Sequence, residues 1–356
     1  GALDGAGVFD ALMANQGECV IYGLIFVAIT MVIVMGGVGG GIEKVCSVGM
    51  PALFVMLVIC IIRSCTLDGA VEGLKYMFVP GWALANGVIK ETPDFFSVLS
   101  TAGGQMFFSL SLGMAAMITY GSYLDKKENL QKNAIIIVVM DTLVALMAGL
   151  CVIPGRFALD PTGNLGGPSL LFVTMQNVFD RMGGAGPVFG ILFYLLVVFA
   201  AVSSSISLLE AVVAHFVDKA RDQGKGDKRK LYSLIGAIGA GILCVIVCLD
   251  ALGNAGISPA DILGMRVDPS DKVPTWSADW LDFFDCIAEG ILMPLGALLM
   301  SIMYGWEVGP EVVHAEATRE GQSFGAYGWF KICIKYITPL CMLLVLYGQI
   351  KEFFFV

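Results

Sequence analysis

Residues 187–217 read PVFGILFYLLVVFAAVSSSISLLEAVVAHFV, an apolar run with no charge before Glu210. About 20 apolar residues suffice to cross the hydrocarbon core of a bilayer. In lipid the backbone must satisfy its own hydrogen bonds, so this stretch reads as a spanning α-helix. Ser203, Ser204 and Ser205 lie inside it. Three consecutive residues cover most of a helical turn, so at least one hydroxyl faces inward whatever the rotation. Hydroxyl and carbonyl oxygens are hard donors suited to an alkali or alkaline-earth cation. Serine as packing filler or interhelical glue is the plainer reading of the same residues.

The rest of the chain follows the same pattern. Of 356 residues, 57% are hydrophobic and 14% charged, against roughly a quarter charged in a soluble domain. Mean hydropathy is +0.81. Further windows at about 18–36, 43–64, 103–123, 133–154, 231–249, 283–306 and 329–350 are long and apolar enough to span. The expected class is therefore an all-α polytopic membrane protein whose solvent is the lipid bilayer. A net charge of −9 argues against a nucleic-acid partner. Most of the cysteines sit in apolar stretches, and neither they nor His215 and His314 have disulfide or metal-site spacing.

Basic residues set the expected orientation. Lys126, Lys127, Lys132, Lys219, Arg221 and the KGDKRK cluster at 225–230 fall on one side, which is read as cytoplasmic. That places the C-terminus outside. Residues 1–17 lack a basic stretch followed by an apolar one, so they are expected to be an extracellular loop segment and not a signal peptide. Residues 65–100 are expected as an extracellular loop and 307–328 as a cytoplasmic one. Within 156–186 the run SLLFVTMQNVF is too short to span and reads as a re-entrant or capping helix, so 156–186 is expected as an extracellular capping segment.

Polar residues inside spans mark function, because a central Asp costs about 2.5–3.5 kcal/mol on insertion scales. Ser109-Leu110-Ser111-Leu112-Gly113 lies mid-span. It reads equally as an interrupted helix that frees carbonyls for a ligand and as a continuous helix using small residues for close packing. Asp141 is flanked by apolar residues and reads as a cation ligand or proton carrier, with a neutral hydrogen-bonded Asp as the structural alternative. Asp282 and Asp285 share a helix face and read as boundary charges or a gate.

Three motifs resemble the neurotransmitter:sodium symporter family: GQMFFSLSLGMAAMITYGSY at 104–123, FAAVSSSISLLEA at 199–211 and GPSLLFVTMQNVF at 167–179. The likeness is strongest to its bacterial hydrophobic amino-acid transporters. It implies a five-plus-five inverted-repeat fold with broken helices, of which this chain would hold the fourth to eleventh helices: 18–64 the last two of the first repeat, 101–306 the second repeat, 329–350 an additional helix. The first three helices are absent from these residues and are expected from the same or another chain.

The resemblance also implies roles. Ser109 and Asp141 would ligate a first sodium; the Ala200 carbonyl, Ser203 and Ser204 a second; both sites would be incomplete in these residues. Phe108, Ser109, Ser111, Met114, Ser204 and Leu208 would bind an amino-acid substrate. Asp285 would be an outer gate, Tyr123 and Asp218 parts of an inner gate, and Gly41, Pro51 and Gly113 points of helix unwinding. Asp141 stands where chloride-dependent animal members carry Asn, which implies chloride independence. The expected function is sodium-coupled uptake of a hydrophobic amino acid by alternating access, without enzyme chemistry, in the plasma (inner) membrane of a prokaryote. The rival readings are a non-transporting amino-acid sensor or truncated subunit, and a proton-coupled carrier using Asp141.

Overall fold

The computed structural model describes residues 5–162, 166–266 and 272–355. Seven helices among them are long and apolar enough to cross a membrane: α1 Gln16–Met35, α2 Val38–Cys65, α3 Leu130–Leu159, α4 Gly183–Asp222, α5 Arg229–Asp250, α6 Trp280–Glu307 and α7 Tyr327–Phe354. Their outward faces expose large apolar side chains, Ile62, Ile191, Ile238 and Leu340 among them. In a membrane such faces meet acyl chains and need no protein cover. The eighth expected span, 103–123, is not continuous. It divides into helices Phe95–Ser109 and Ala116–Ser122.

The chain forms two compact units, residues 1–92 with 142–249 and residues 93–141 with 250–356. In the first, α4 packs against α1 and α2. Val202, Ile206, Val213 and Val217 of α4 bury against Val34 and Ile42, a stripe at four- and seven-residue spacing that follows the helical period. A second cluster joins Leu57 and Cys60 of α2, Cys151 of α3 and Phe193 of α4 to Met175, Val178 and Phe179. The last three belong to the 167–181 segment, which is a packed cap on this unit.

Several boundaries differ from expectation. The helix that was expected to end at 154 continues to Leu159 through Pro154, so 156–159 belong to α3 and not to the cap. The Leu150 carbonyl that Pro154 leaves without its amide accepts the Cys65 thiol of α2 at 3.8 Å, and a Cβ on Gly73 would lie 2.7 Å from the Pro154 Cα, so a neighbouring backbone packs directly on the proline. Residues 1–17, expected as a loop, carry the helix Gly5–Ala14. The Gly5 amide donates to Asn177 Oδ1 at 3.0 Å, tying that helix to the cap. The 65–100 connection includes the helix Ala70–Phe78, and 307–328 includes Pro310–Ala317.

In the second unit, α6, α7 and the helix Phe95–Ser109 pack around Phe107, Met293 and Val345, with Met114, Ala297 and Met342 against them. The buried Gln349 of α7 donates its amide to the Ser100 carbonyl at 3.3 Å, so an interior polar group is satisfied by backbone. Helix α6 contains a wide π-turn over Cys286–Leu292, beginning one residue after Asp285. Such turns are rare and concentrate at functional sites.

Candidate functional site

The break at 110–115 decides the question that the sequence left open. The helical ladder ends with the Leu110 amide on the Met106 carbonyl and the Leu112 amide on the Phe107 carbonyl, and it resumes with the Thr119 amide on Ala115. Between these points Ser111, Gly113 and Ala115 have φ of 54°, 72° and 63°. For residues with a Cβ this left-handed region costs about 1–3 kcal/mol each, and it persists where the surrounding structure imposes it. Gly113 is imposed twice over. Its φ favours glycine, and a Cβ there would overlap the Met293 carbonyl oxygen of α6. From the other side, a Cβ on Gly296 would lie 2.9 Å from the Gly113 carbonyl oxygen. Two backbones therefore meet here with no side chain between them.

At the edge of this break the Ser109 hydroxyl donates to Asp141 Oδ1 at 2.6 Å. Ser109 ends the first half-helix, and Asp141 lies near the middle of α3. The pair joins a carboxylate and a hydroxyl beside irregular backbone, the set of hard oxygens that suits a small monovalent cation. The structure brings these two predicted residues into contact. Phe108, Ser111 and Met114 lie in the same unit; Phe108 is exposed and Met114 packs on the Phe107–Met293 core.

The serine run lies in the other unit, on α4. Ser203 and Ser204 both donate to the Ala200 carbonyl, at 2.8 and 3.2 Å, so the three predicted oxygens are gathered on one turn. Ser205 also bonds back, donating to the Val202 carbonyl at 2.9 Å, and in addition shares a hydrogen bond of 2.8 Å with Thr30 of α1. All three serines thus bond back to their own helix, and one of them also joins α4 to α1. Ser204 and Leu208 are exposed on α4.

The gate candidates are dispersed. Asp285 is half-buried on α6, Tyr123 closes the helix Ala116–Ser122 with its ring 6.4 Å from Tyr120, and Asp218 is exposed near the end of α4. Gly41 lies in the π-turn Val38–Ile42 that opens α2, where a Cβ would overlap the Ile33 carbonyl oxygen, and Pro51 sits inside the α-helix that follows.

Sequence reasoning missed one pair. Glu210, fully buried, receives both terminal nitrogens of Arg229, Nη1 at 2.6 Å and Nη2 at 3.0 Å. A fully buried carboxylate in an apolar span calls for a cation, and that was the available signal. The cation comes from the basic cluster that had been read only as a cytoplasmic loop.

The model of the family described as "SNF: Sodium:neurotransmitter symporter family" matches residues 12–264. An uncharacterized sodium-dependent transporter of Bacillus subtilis (strain 168), YhdH, is 34% identical over 95% of this chain and 68% of its own length. An uncharacterized sodium-dependent transporter of Haemophilus influenzae is 31% identical over 92% of this chain and 65% of its own. The chain thus spans about two thirds of the length of these relatives. The crystal structure of MhsT in complex with L-phenylalanine superposes with a TM-score of 0.77 at 31% identity, covering 97% of this chain and 71% of that one. An all-helical chain broken beside Ser109 and Asp141, matched over most of its residues by this model and these relatives, belongs to the sodium:neurotransmitter symporter family, a family of transporters and not of enzymes.

Proposed function

We propose that the protein is a sodium-coupled symporter that carries a hydrophobic amino acid into the cell by alternating access, without a chloride requirement. The observation that carries this reading is the hydrogen bond between Ser109 and Asp141 at the break of a membrane helix. On this reading Asp141 and Ser109 ligate a first sodium, which also neutralises the substrate carboxylate. The Ala200 carbonyl with Ser203 and Ser204 ligates a second. Phe108, Ser111, Met114, Ser204 and Leu208 line the substrate site, and the unbranched, adaptable Met114 accommodates apolar side chains of different shape. Asp285 acts at an outer gate, Tyr123 and Asp218 at an inner one, and unwinding at Gly41, Pro51 and Gly113 opens the inward path. Sodium drives the cycle only through its different affinity for the two end states.

The similarity to MhsT, whose structure was solved with L-phenylalanine, supports an apolar amino acid as substrate. The fixed negative charge of Asp141 supports chloride independence. The spans take their places in a five-plus-five inverted repeat in a prokaryotic cell membrane, with the C-terminus outside.

Uptake of radiolabelled phenylalanine into proteoliposomes, with sodium or choline outside, tests the proposal. Sodium-dependent accumulation is expected. Binding of phenylalanine without accumulation would indicate a sensor, and accumulation that survives choline would indicate a proton-coupled carrier.

A further inference from the structure

Two cavities of opposite character lie end to end between the same pair of helices, α1 and α5. The first is a groove of about 490 Å³ walled by Leu24, Val27 and Met31 on one side and Ile238, Ile242 and Val245 on the other. The second, of about 720 Å³, begins where the groove stops. It is lined by Met35, Gly36 and Gly37 at the end of α1 and by Asp227, Lys228, Arg229 and Lys230 at the start of α5. Contacts between the helices bracket the groove. At one end Leu24 lies within 3.4 Å of a Cβ built on Gly241, and Cys244 fits against Gly23. At the other, Arg229 Nη1 donates to the Val34 carbonyl at 3.5 Å. Between those points the helix pair leaves a trough.

We propose that this trough binds one anionic phospholipid, its phosphate in the basic cavity and an acyl chain in the apolar groove. Length supports the assignment. From Leu24 to Gly37 the wall runs roughly 20 Å at about 1.5 Å per residue, which is one leaflet of a bilayer about 40–45 Å thick with its headgroups. Charge supports it too. The chain carries −9 overall, yet Lys228, Arg229 and Lys230 are consecutive at this one mouth. Arg229 is engaged by Glu210, and Asp227 Oδ1 accepts the Arg229 amide. Lys228 and Lys230 are exposed and form no ion pair among the described residues, so they are the groups that meet the phosphate. Basic pockets between membrane helices, at the level of the headgroups, are a recurrent way of holding anionic lipids.

Native mass spectrometry of the purified protein in mixed micelles of phosphatidylglycerol and phosphatidylcholine tests the assignment. A basic residue near the lipid surface contributes about 1 kcal/mol, or roughly five-fold in affinity. The doubly substituted Lys228→Gln/Lys230→Gln protein should therefore lose about 25-fold in phosphatidylglycerol retention, while Lys228→Arg/Lys230→Arg retains it. Ala28→Trp, which fills the groove from α1, should displace the bound lipid without changing the mass of the protein assembly. Equal retention of the two lipids, or retention unaffected by the glutamines, would overturn the proposal. So would competition by inorganic phosphate alone at the same concentration, which would make this a free-anion site. A dimer that dissociates on Ala28→Trp with no lipid bound would assign the groove to a second copy of the chain and overturn it equally.

Discussion

The Ser109 hydroxyl and the Asp141 carboxylate meet at 2.6 Å across two helices, one of which stops at that serine. An acidic residue flanked by apolar ones is thereby held against the end of the half-helix Phe95–Ser109, where the irregular stretch begins. Asp141→Ala should raise the sodium concentration for half-maximal uptake by at least the 10- to 100-fold seen when support for a metal ligand is removed. Asp141→Asn keeps the acceptor and loses the charge, so its residual uptake should become chloride-stimulated, whereas the parent protein should take up substrate equally in chloride and gluconate. Unchanged sodium dependence in the alanine variant would remove Asp141 from the site.

On the proposed reading, the serine run separates two roles on one turn. Ser204→Ala should weaken sodium activation while leaving thermal stability near the parent's. Ser205→Ala removes the contact to Thr30 and should do the reverse, at a cost of about 0.6 kcal/mol for an interhelical hydrogen bond in a membrane. Sodium titration and thermal unfolding in detergent, run on both variants, give four numbers; the proposal fails if the two variants behave alike.

Glu210 and Arg229 form a buried two-pronged pair. Removing one member strands the other, at a cost of about 3–5 kcal/mol, while replacing both with apolar residues of similar size is often neutral. Glu210→Gln should thus lower the unfolding temperature well below that of Glu210→Met/Arg229→Met. A double variant as unstable as the single one would mean that the pair is net stabilising beyond mutual neutralisation.

Gly40 and Gly41 are neighbours with opposite prospects. A Cβ on Gly41 would overlap the Ile33 carbonyl oxygen, whereas one on Gly40 meets nothing within 4 Å. Gly41→Ala should impair folding or transport. Gly40→Ala should be neutral or up to about 1 kcal/mol stabilising, from glycine's poor helix propensity. Comparing expression and unfolding temperature of the two is sufficient.

Outside the spans, Ser258 and Asp261 cap the short helix Pro259–Ile262 reciprocally. The Ser258 hydroxyl, followed by its backbone amide and by Arg266, holds the Asp261 carboxyl below the usual carboxylate range. A group whose pKa is lowered on folding stabilises the fold above its unfolded value, near 3.9, and loses that contribution as pH falls through the lower folded value. Hydrogen-exchange protection in 257–265, taken relative to the intrinsic exchange rate at each pH, should therefore be unchanged from pH 7 to 5 and fall only below about 4. In Ser258→Ala it should be lower throughout.

The spans were legible because length and apolarity suffice to specify a membrane helix. The break was not, because Ser-Leu-Ser-Leu-Gly satisfies a continuous helix as well as an interrupted one, and Ser111 and Ala115 carry no glycine signature for their left-handed backbone. The expected span stopped at 154, but the helix runs on to Leu159; the Leu150 carbonyl that Pro154 leaves free is taken by the Cys65 thiol of α2, a fact of packing that no local pattern contains. The Glu210–Arg229 pair stayed hidden for a similar reason. Each residue had a sufficient reading alone, and only folding of the 223–228 connection sets them face to face. By contrast, Ala200, Ser203 and Ser204 lie within one turn, so their grouping follows from helical period once the helix is assigned.

The contact of Gly113 with Met293 and Gly296 has a mechanical consequence. Bare backbones in van der Waals contact have no flexible side chain between them to absorb displacement, and close-packed interiors transmit strain. Unwinding or rewinding the 110–115 segment therefore cannot occur while α6 stays still. Because α6 also carries Asp285 and the wide turn after it, a change beside Ser109 should move Asp285 in the same stroke. The two glycines act as a gear tooth, and a methyl group at either would jam it.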